Sequence, residues 1–283
     1  MLTTIRLFYK LPMSEPKTNG RSSPIAYSCY FNRNREGEQF APEHVFSYQL
    51  SGTLLINTGD SEHVFNEGDF RFIKRNQLLK FVKQPPVGGV FKSISIYLDQ
   101  PMLRDFSIVY GYKAIEEPFR GEAVMRLNGG ALCKSFMDSL MPYTGSDQAI
   151  PQQLQVLKQH EAVMILLQSK PELQNILFDF TEPGKIDLEA FMNKNFHFNV
   201  QLKRFAYLTG RSLATFKRDF EHIFHTSPSK WLQQRRLQEA HYLIKEKGRA
   251  PSDVYLEIGF EDLSHFSFAF KKMYGMPPSK LVG

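Results

Sequence analysis

Two stretches decide the fold: LKRFAYLTGRSLATFKRDFEHIFHTSP at 202–228 and VYLEIGFEDLSHFSFAFKKMYGMPP at 254–278. Each reads as a short helix, a tight turn containing glycine, and a second amphipathic helix, so one design occurs twice. Phe216 and Phe220 correspond to Phe266 and Phe270, Phe224 to Tyr274, and Ser227-Pro228 to Pro277-Pro278, with one extra residue in the second turn. Glycine at 210 and 259 permits left-handed backbone between the helices, and aromatics four apart seat the second helix on a small core. The outer face of that helix is then free to enter a major groove. Between the copies, Ser227-Pro228 opens a helix running to 247 and stopped by Gly248. Roughly 19 residues at about 1.5 Å each span about 28 Å, enough to set two recognition helices on successive grooves about 34 Å apart.

Charge supports the same reading. Residues 1–183 hold 19 basic and 19 acidic side chains, whereas 184–283 hold 16 and 10, so the whole +6 excess lies with the repeat. A basic helical segment is suited to a polyanion, because each phosphate neutralised releases condensed counterions. An all-helical bundle with merely packed aromatics would leave the repeat, the paired glycine turns and the charge asymmetry unexplained. No apolar run reaches the roughly 20 residues a membrane span needs. Two cysteines, Cys29 and Cys133, stand outside any metal or disulfide spacing, and the start lacks a secretory pattern, so the expected setting is the cytoplasm.

The preceding region reads differently. Residues 1–24, broken by Pro12, Pro16, Gly20 and Pro24, form an expected flexible arm. Short aromatic and β-branched runs then predict strands over 26–31, 44–50, 53–57, 63–66, 69–74, 79–83 and 91–98, with glycine turns between them. That spacing argues for an antiparallel barrel or double sheet. Helices follow over 102–110, 131–141, 152–167 and 172–180, with an apolar stripe at Leu154, Leu157, Val163 and Leu167. Thr181-Glu182-Pro183-Gly184 is the expected linker. The fold class is therefore α+β: a β-barrel with following helices over 25–180, then an all-α domain over 185–283.

The C-terminal signature resembles the AraC/XylS-type bacterial transcription regulators. It runs through Gly210-Arg211-Ser212, Phe216-Lys217-Arg218-Asp219-Phe220, Ser227-Pro228, Arg236-Leu237-Gln238-Glu239-Ala240, Ile258-Gly259-Phe260, Phe266 to Phe270 with Lys271, and Gly275-Met276-Pro277-Pro278. The turn-strand pattern from Leu50-Ser51-Gly52-Thr53 to Glu67-Gly68-Asp69 is similar to the cupin-like N-terminal domains of that family. The resemblance implies a double helix-turn-helix DNA reader. It places base or phosphate contacts at Ala214, Lys217 and Arg218, beside Thr215, with Arg218 suited to a bidentate bond to guanine. The alternative role for Arg218 is a solvated face or an ion pair with neighbouring acids such as Glu221 or Glu239. In the second copy the matching positions are Leu263, Ser264, Ser267 and Phe268; the family commonly has arginine where Phe268 stands, and Tyr255 replaces a usual small alanine. The second unit is therefore expected to contribute phosphate contacts through Lys271, Lys272 and helix N-terminal amides more than base readout.

Cupin-like barrels can be metal enzymes. Only His44, His63 and His160 precede the linker, with no HxH pair, so neither a metal nor another cofactor is expected and His44 and His63 read as edge or surface residues. Cys29 reads as a small buried strand residue. Phe46, Tyr48, Leu54, Phe70, Phe72 and Phe81 would line a sensor pocket or simply build the core. The expected function is sequence-specific transcription regulation, with activation as the expected sign, and double-stranded DNA as the partner. Control passes through the N-terminal domain by a small-molecule effector or a regulatory protein, and residues 131–180 offer a face for a homodimer or for the barrel. The alternative reading is a cupin-type metal-dependent enzyme fused to a DNA-binding tail.

Overall fold

The computed structural model describes residues 23–35, 39–115, 121–144 and 150–281; all of the expected arm except Ser23 and Pro24 lies outside them. The chain runs β1 (Ile25–Tyr30), β2 (Asn34–Arg35), β3 (Phe40–Ala41), β4 (His44–Ser51), β5 (Thr53–Asn57), β6 (Glu62–Phe65), β7 (Phe70–Ile73), β8 (Gln77–Leu78), β9 (Lys80–Gln84) and β10 (Phe91–Leu98). It continues through α1 (Gln100–Tyr110), β11 (Val124–Leu127), α2 (Ala131–Leu140), α3 (Gln152–Ser169) and α4 (Gln174–Leu177). Strand order is β1-β10-β4-β7-β11 in one sheet, β2-β9-β5-β6 in the second and β3-β8 in a two-stranded piece, all antiparallel.

The seven expected strands are present within a residue or so at each end. Among the described residues β2, β3, β8 and β11 escape a sequence reading; the first three have two residues each, too few to show alternation. The last expected helix is shorter: a 3-10 turn at Pro171–Leu173 leads into α4, and Phe178 leaves it to stack on Phe106 and Tyr112. On α3, Val163 and Leu167 are buried and Leu154 is half-buried, but Leu157 is 63% exposed. Buried Gln159 instead donates to the Tyr97 carbonyl at 2.8 Å.

Alternation along the strands serves two cores. Phe46, Tyr48, Phe70 and Phe72 face the helices and pack with Leu103, Phe106, Phe136 and Leu166. Leu54, Phe65, Ile73, Phe91 and Val124 fill the space between the sheets, with Phe81 beside them. The residues expected to line one pocket thus divide between two cores. Phe46, Tyr48, Phe70 and Phe72 share the helix-facing side of the first sheet, as residues two apart on a strand do, whereas Leu54 and Phe81 come from the second sheet and face the core between the sheets. Polar side chains are buried here as well, among them Gln49, Arg71, Lys83 and Ser93. Arg71 donates to Gln49 Oε1 at 3.2 Å, and Lys83 lies 4.4 Å from the Tyr30 ring.

His44 corrects the expectation of a surface residue. It is fully buried, stacked on Phe72, and its Nδ1 accepts from the Arg75 amide at 3.1 Å. His63 is half-buried and bonds Ser61 at 2.9 Å. Cys29 is half-buried opposite Lys92, so it is less enclosed than expected, whereas Cys133 is buried. Among the described residues no cluster of three His, Cys, Asp or Glu side chains could hold a metal ion, and no helix is long and apolar enough to cross a membrane.

Candidate nucleic-acid interface

The first reader unit consists of α5 (Leu188–Asn195), α6 (Leu202–Leu208) and α7 (Leu213–Phe224). Ser212 caps α7 by accepting from the Thr215 amide at 3.2 Å. Phe216 and Phe220 are fully buried among Leu188, Met192, Phe198 and Phe205. That anchoring turns Ala214, Lys217 and Arg218 outward, all exposed, while Thr215 is half-buried with its hydroxyl bonded to Ser212. Arg218 pairs with neither Glu221 nor Glu239. One of its nitrogens donates to Asp219 at 3.3 Å, and Glu239 pairs with Arg235 at 3.1 Å. Asp219 also accepts from Arg211 Nε at 3.1 Å. The Arg211 hydrogen bond, reinforced by Arg218, holds the Asp219 carboxyl below its usual range. The Arg218 side chain remains 77% exposed, with donors free to reach a base edge.

The second unit pairs α9 (Pro251–Glu257) with α10 (Leu263–Tyr274). Phe266, Ala269 and Phe270 are buried; Leu263, Ser264, Phe268, Lys271 and Lys272 are exposed and Ser267 is half-buried. Asp262 caps α10, accepting from the His265 amide at 2.7 Å. The Asp262 carboxylate thus occupies one of the helix N-terminal amides that the sequence offers to phosphate. Lys271 and Lys272, in the last turn, remain suited to phosphate.

The connecting helix α8 (Pro228–Lys245) starts at cap Ser227 with proline in its first turn. The sequence marks its Arg236 only as part of the family signature, with no local signal for a role. Nε donates to the Phe196 carbonyl at 2.8 Å, Nη2 to that of Phe198 at 2.8 Å and Nη1 to that of Gly259 at 2.9 Å. One guanidinium thus ties the first unit to the turn of the second. Burial lowers its pKa to about 10, so it stays charged at neutral pH. Both turn glycines have positive φ, +64° at Gly210 and +96° at Gly259, as the repeat predicts. Each is also tightly enclosed: a Cβ would lie 2.3 Å from the Gly184 carbonyl carbon or 2.7 Å from the His197 carbonyl oxygen.

Residues 205–282 match the family described as a helix-turn-helix domain, and residues 44–176 match the ExsA N-terminal regulatory domain. The HTH-type transcriptional regulator ExsA of Pseudomonas aeruginosa is 23% identical over 256 residues, covering 89% of this chain and 91% of that protein. The chain belongs to the AraC family of transcription regulators. The virulence regulon transcriptional activator VirF of Yersinia enterocolitica is 27% identical over 147 residues, 47% of this chain and 54% of that protein. A crystal structure of apo ToxT from Vibrio cholerae aligns with a TM-score of 0.45 at 11% identity, covering 92% of this chain and 97% of that one. As an AraC family regulator, the chain is a DNA-binding protein.

In this AraC family regulator the barrel docks onto the reader. Phe40 of β3 and Leu78 of β8 join the core of the first unit beside Leu188, Met192 and Phe196. Around them, Asn199 N donates to Gln39 Oε1 at 3.1 Å and Asn76 Nδ2 to the Tyr207 hydroxyl at 3.1 Å. Lys80 donates to the Glu257 carbonyl in the second unit and lies 5.6 Å from the Phe198 ring. The segment after α4 is held too: Arg75 donates to the carbonyls of Asp179 and Thr181, and Arg211 to that of Ile186. None of these pairings carries a local sequence signal, since the partners lie far apart in the chain.

His197 packs at this junction beside Gly59 and Phe198. Burial, with Lys80 and Arg236 nearby, lowers its pKa to about 4, against a smaller opposing effect of Asp60. Burial, with Arg75 and Lys74, lowers that of His44 to about 3. Both are folded in neutral form, so their contribution is complete above about pH 6.5 and is lost as pH falls below it, where only the unfolded chain takes up the protons. Each will steepen the fall in stability by up to about 1.4 kcal/mol per pH unit between roughly pH 6 and 4. Denaturant titrations across that range should show the slope reduced by up to about 1.4 kcal/mol per pH unit in His197→Gln; an unchanged slope would mean His197 does not fold neutral.

Proposed function

We propose that the chain is a cytoplasmic, sequence-specific activator of transcription that reads two successive major grooves through α7 and α10. The duplicated units, each presenting an exposed outer face on a helix locked by two buried phenylalanines, carry the reading. Arg218, Lys217 and Ala214 contact bases or phosphates from α7, and Lys271 and Lys272 hold phosphates from α10. The name of the Yersinia relative, a transcriptional activator, supports the sign. A small-molecule effector or a regulatory protein acts on the barrel domain, and the contacts of Gln39, Phe40, Asn76, Leu78 and Lys80 carry its effect to the reader. Pairing of two chains through the 25–180 region adds avidity on paired half-sites.

The test compares the fragment 181–283 with the full chain, on one-site and two-site duplexes chosen by selection from random sequence at fixed salt. The fragment keeps both units, α8 and the basic excess, so it is expected to bind the single site measurably and the paired site more weakly than the full chain. A fragment with no binding ends the modular reading, and equal affinities on the paired site end the dimerisation role.

A further inference from the structure

Phe268 is 69% exposed, although it sits in a helix whose other three large aromatic rings, Phe266, Phe270 and Tyr274, all belong to the core of the second unit. An aromatic ring left in water beside Ser264, Lys271 and Lys272 contributes little to folding. Its place in the repeat is that of Arg218: both stand two residues after the first buried phenylalanine of their helix, Phe216 or Phe266. The same outward position therefore carries a guanidinium fork in α7 and a phenyl ring in α10.

The edges of base pairs in the major groove include one apolar group, the 5-methyl of thymine, and phenylalanine is among the side chains that contact it. Resting on the assignment of α10 to the groove, we propose that Phe268 is a specificity-determining residue that reads a thymine methyl group. The lysines one turn on bring the ring to a polyanion, which an apolar patch alone would not seek. The basic surroundings thus favour DNA over an apolar protein surface. Base preference in the second unit then comes from shape and apolar contact, in place of the hydrogen-bonding fork that the sequence lacks there.

The test uses the full chain and its selected duplex, with each thymine replaced in turn by deoxyuridine, which removes only the methyl group. The wild type should lose about three- to tenfold in affinity at one thymine in the half read by α10. Phe268→Ser should lose the same factor on the thymine duplex and be indifferent to uracil there, whereas Phe268→Leu should keep the thymine preference. Because the ring is exposed, neither change disturbs the core. Indifference of the wild type to every uracil, or equal sensitivity in Phe268→Ser, overturns the proposal while leaving the regulator reading intact. A chain that selects no sequence at all overturns both.

Discussion

Arg236→Met will destabilise the reader by about 3 to 5 kcal/mol, because it strips partners from three carbonyls at Phe196, Phe198 and Gly259 while keeping most of the side-chain volume. Hydrogen bonds to a charged donor are worth more than neutral ones, and the carbonyls left behind are partly shielded from water. The consequence for function is a loss of fixed placement between the units. α8 will still connect them, but the turn before α10 will no longer be tied to the residues following α5. Affinity for a duplex carrying both subsites should therefore fall more than tenfold, with a weaker penalty for duplexes whose subsites are moved apart by a base pair. Arg236→Lys, which can reach one carbonyl at a time, should fall between. Denaturation of the purified variants together with titration on spacing variants checks this; a methionine variant with wild-type stability and spacing preference would show that the guanidinium is not the tie.

Arg218→Ala is expected to cost about 1 to 3 kcal/mol on the selected site, which is roughly five- to 150-fold, and to relax preference at one base pair. The physical basis is the exposed guanidinium on α7, bound to Asp219 through one nitrogen and otherwise open. Surface pairs of that kind are weak and screened, so the arginine can turn from Asp219 to guanine at little cost. Stability should hardly change, which separates this variant from Arg236→Met. Binding measured on a panel with each base pair varied decides the role: an equal loss on every sequence would make Arg218 a phosphate contact.

The features legible in the sequence are local ones. Left-handed glycines, proline at the start of α8, and phenylalanines four apart in α7 and α10 express constraints that act within a few residues, so the double unit and its outward faces can be read directly. Long alternating strands are legible for the same reason. The short strands β3 and β8 are not, since their two residues acquire meaning only from the partners they meet.

The sequence by itself thus determined the two reader helices, the basic balance of the last hundred residues and the strand-rich character of the first. Only the tertiary structure decided how these parts face one another. It placed Phe46 under the helices and Leu54 between the two sheets, buried His44, moved the Arg218 pairing to Asp219, and set Phe40 and Leu78 into the reader's core. It also gathered three carbonyls around Arg236. Most of these contacts join residues tens to more than a hundred positions apart, and their free energy comes from burial and hydrogen bonding that exist only once the chain has folded.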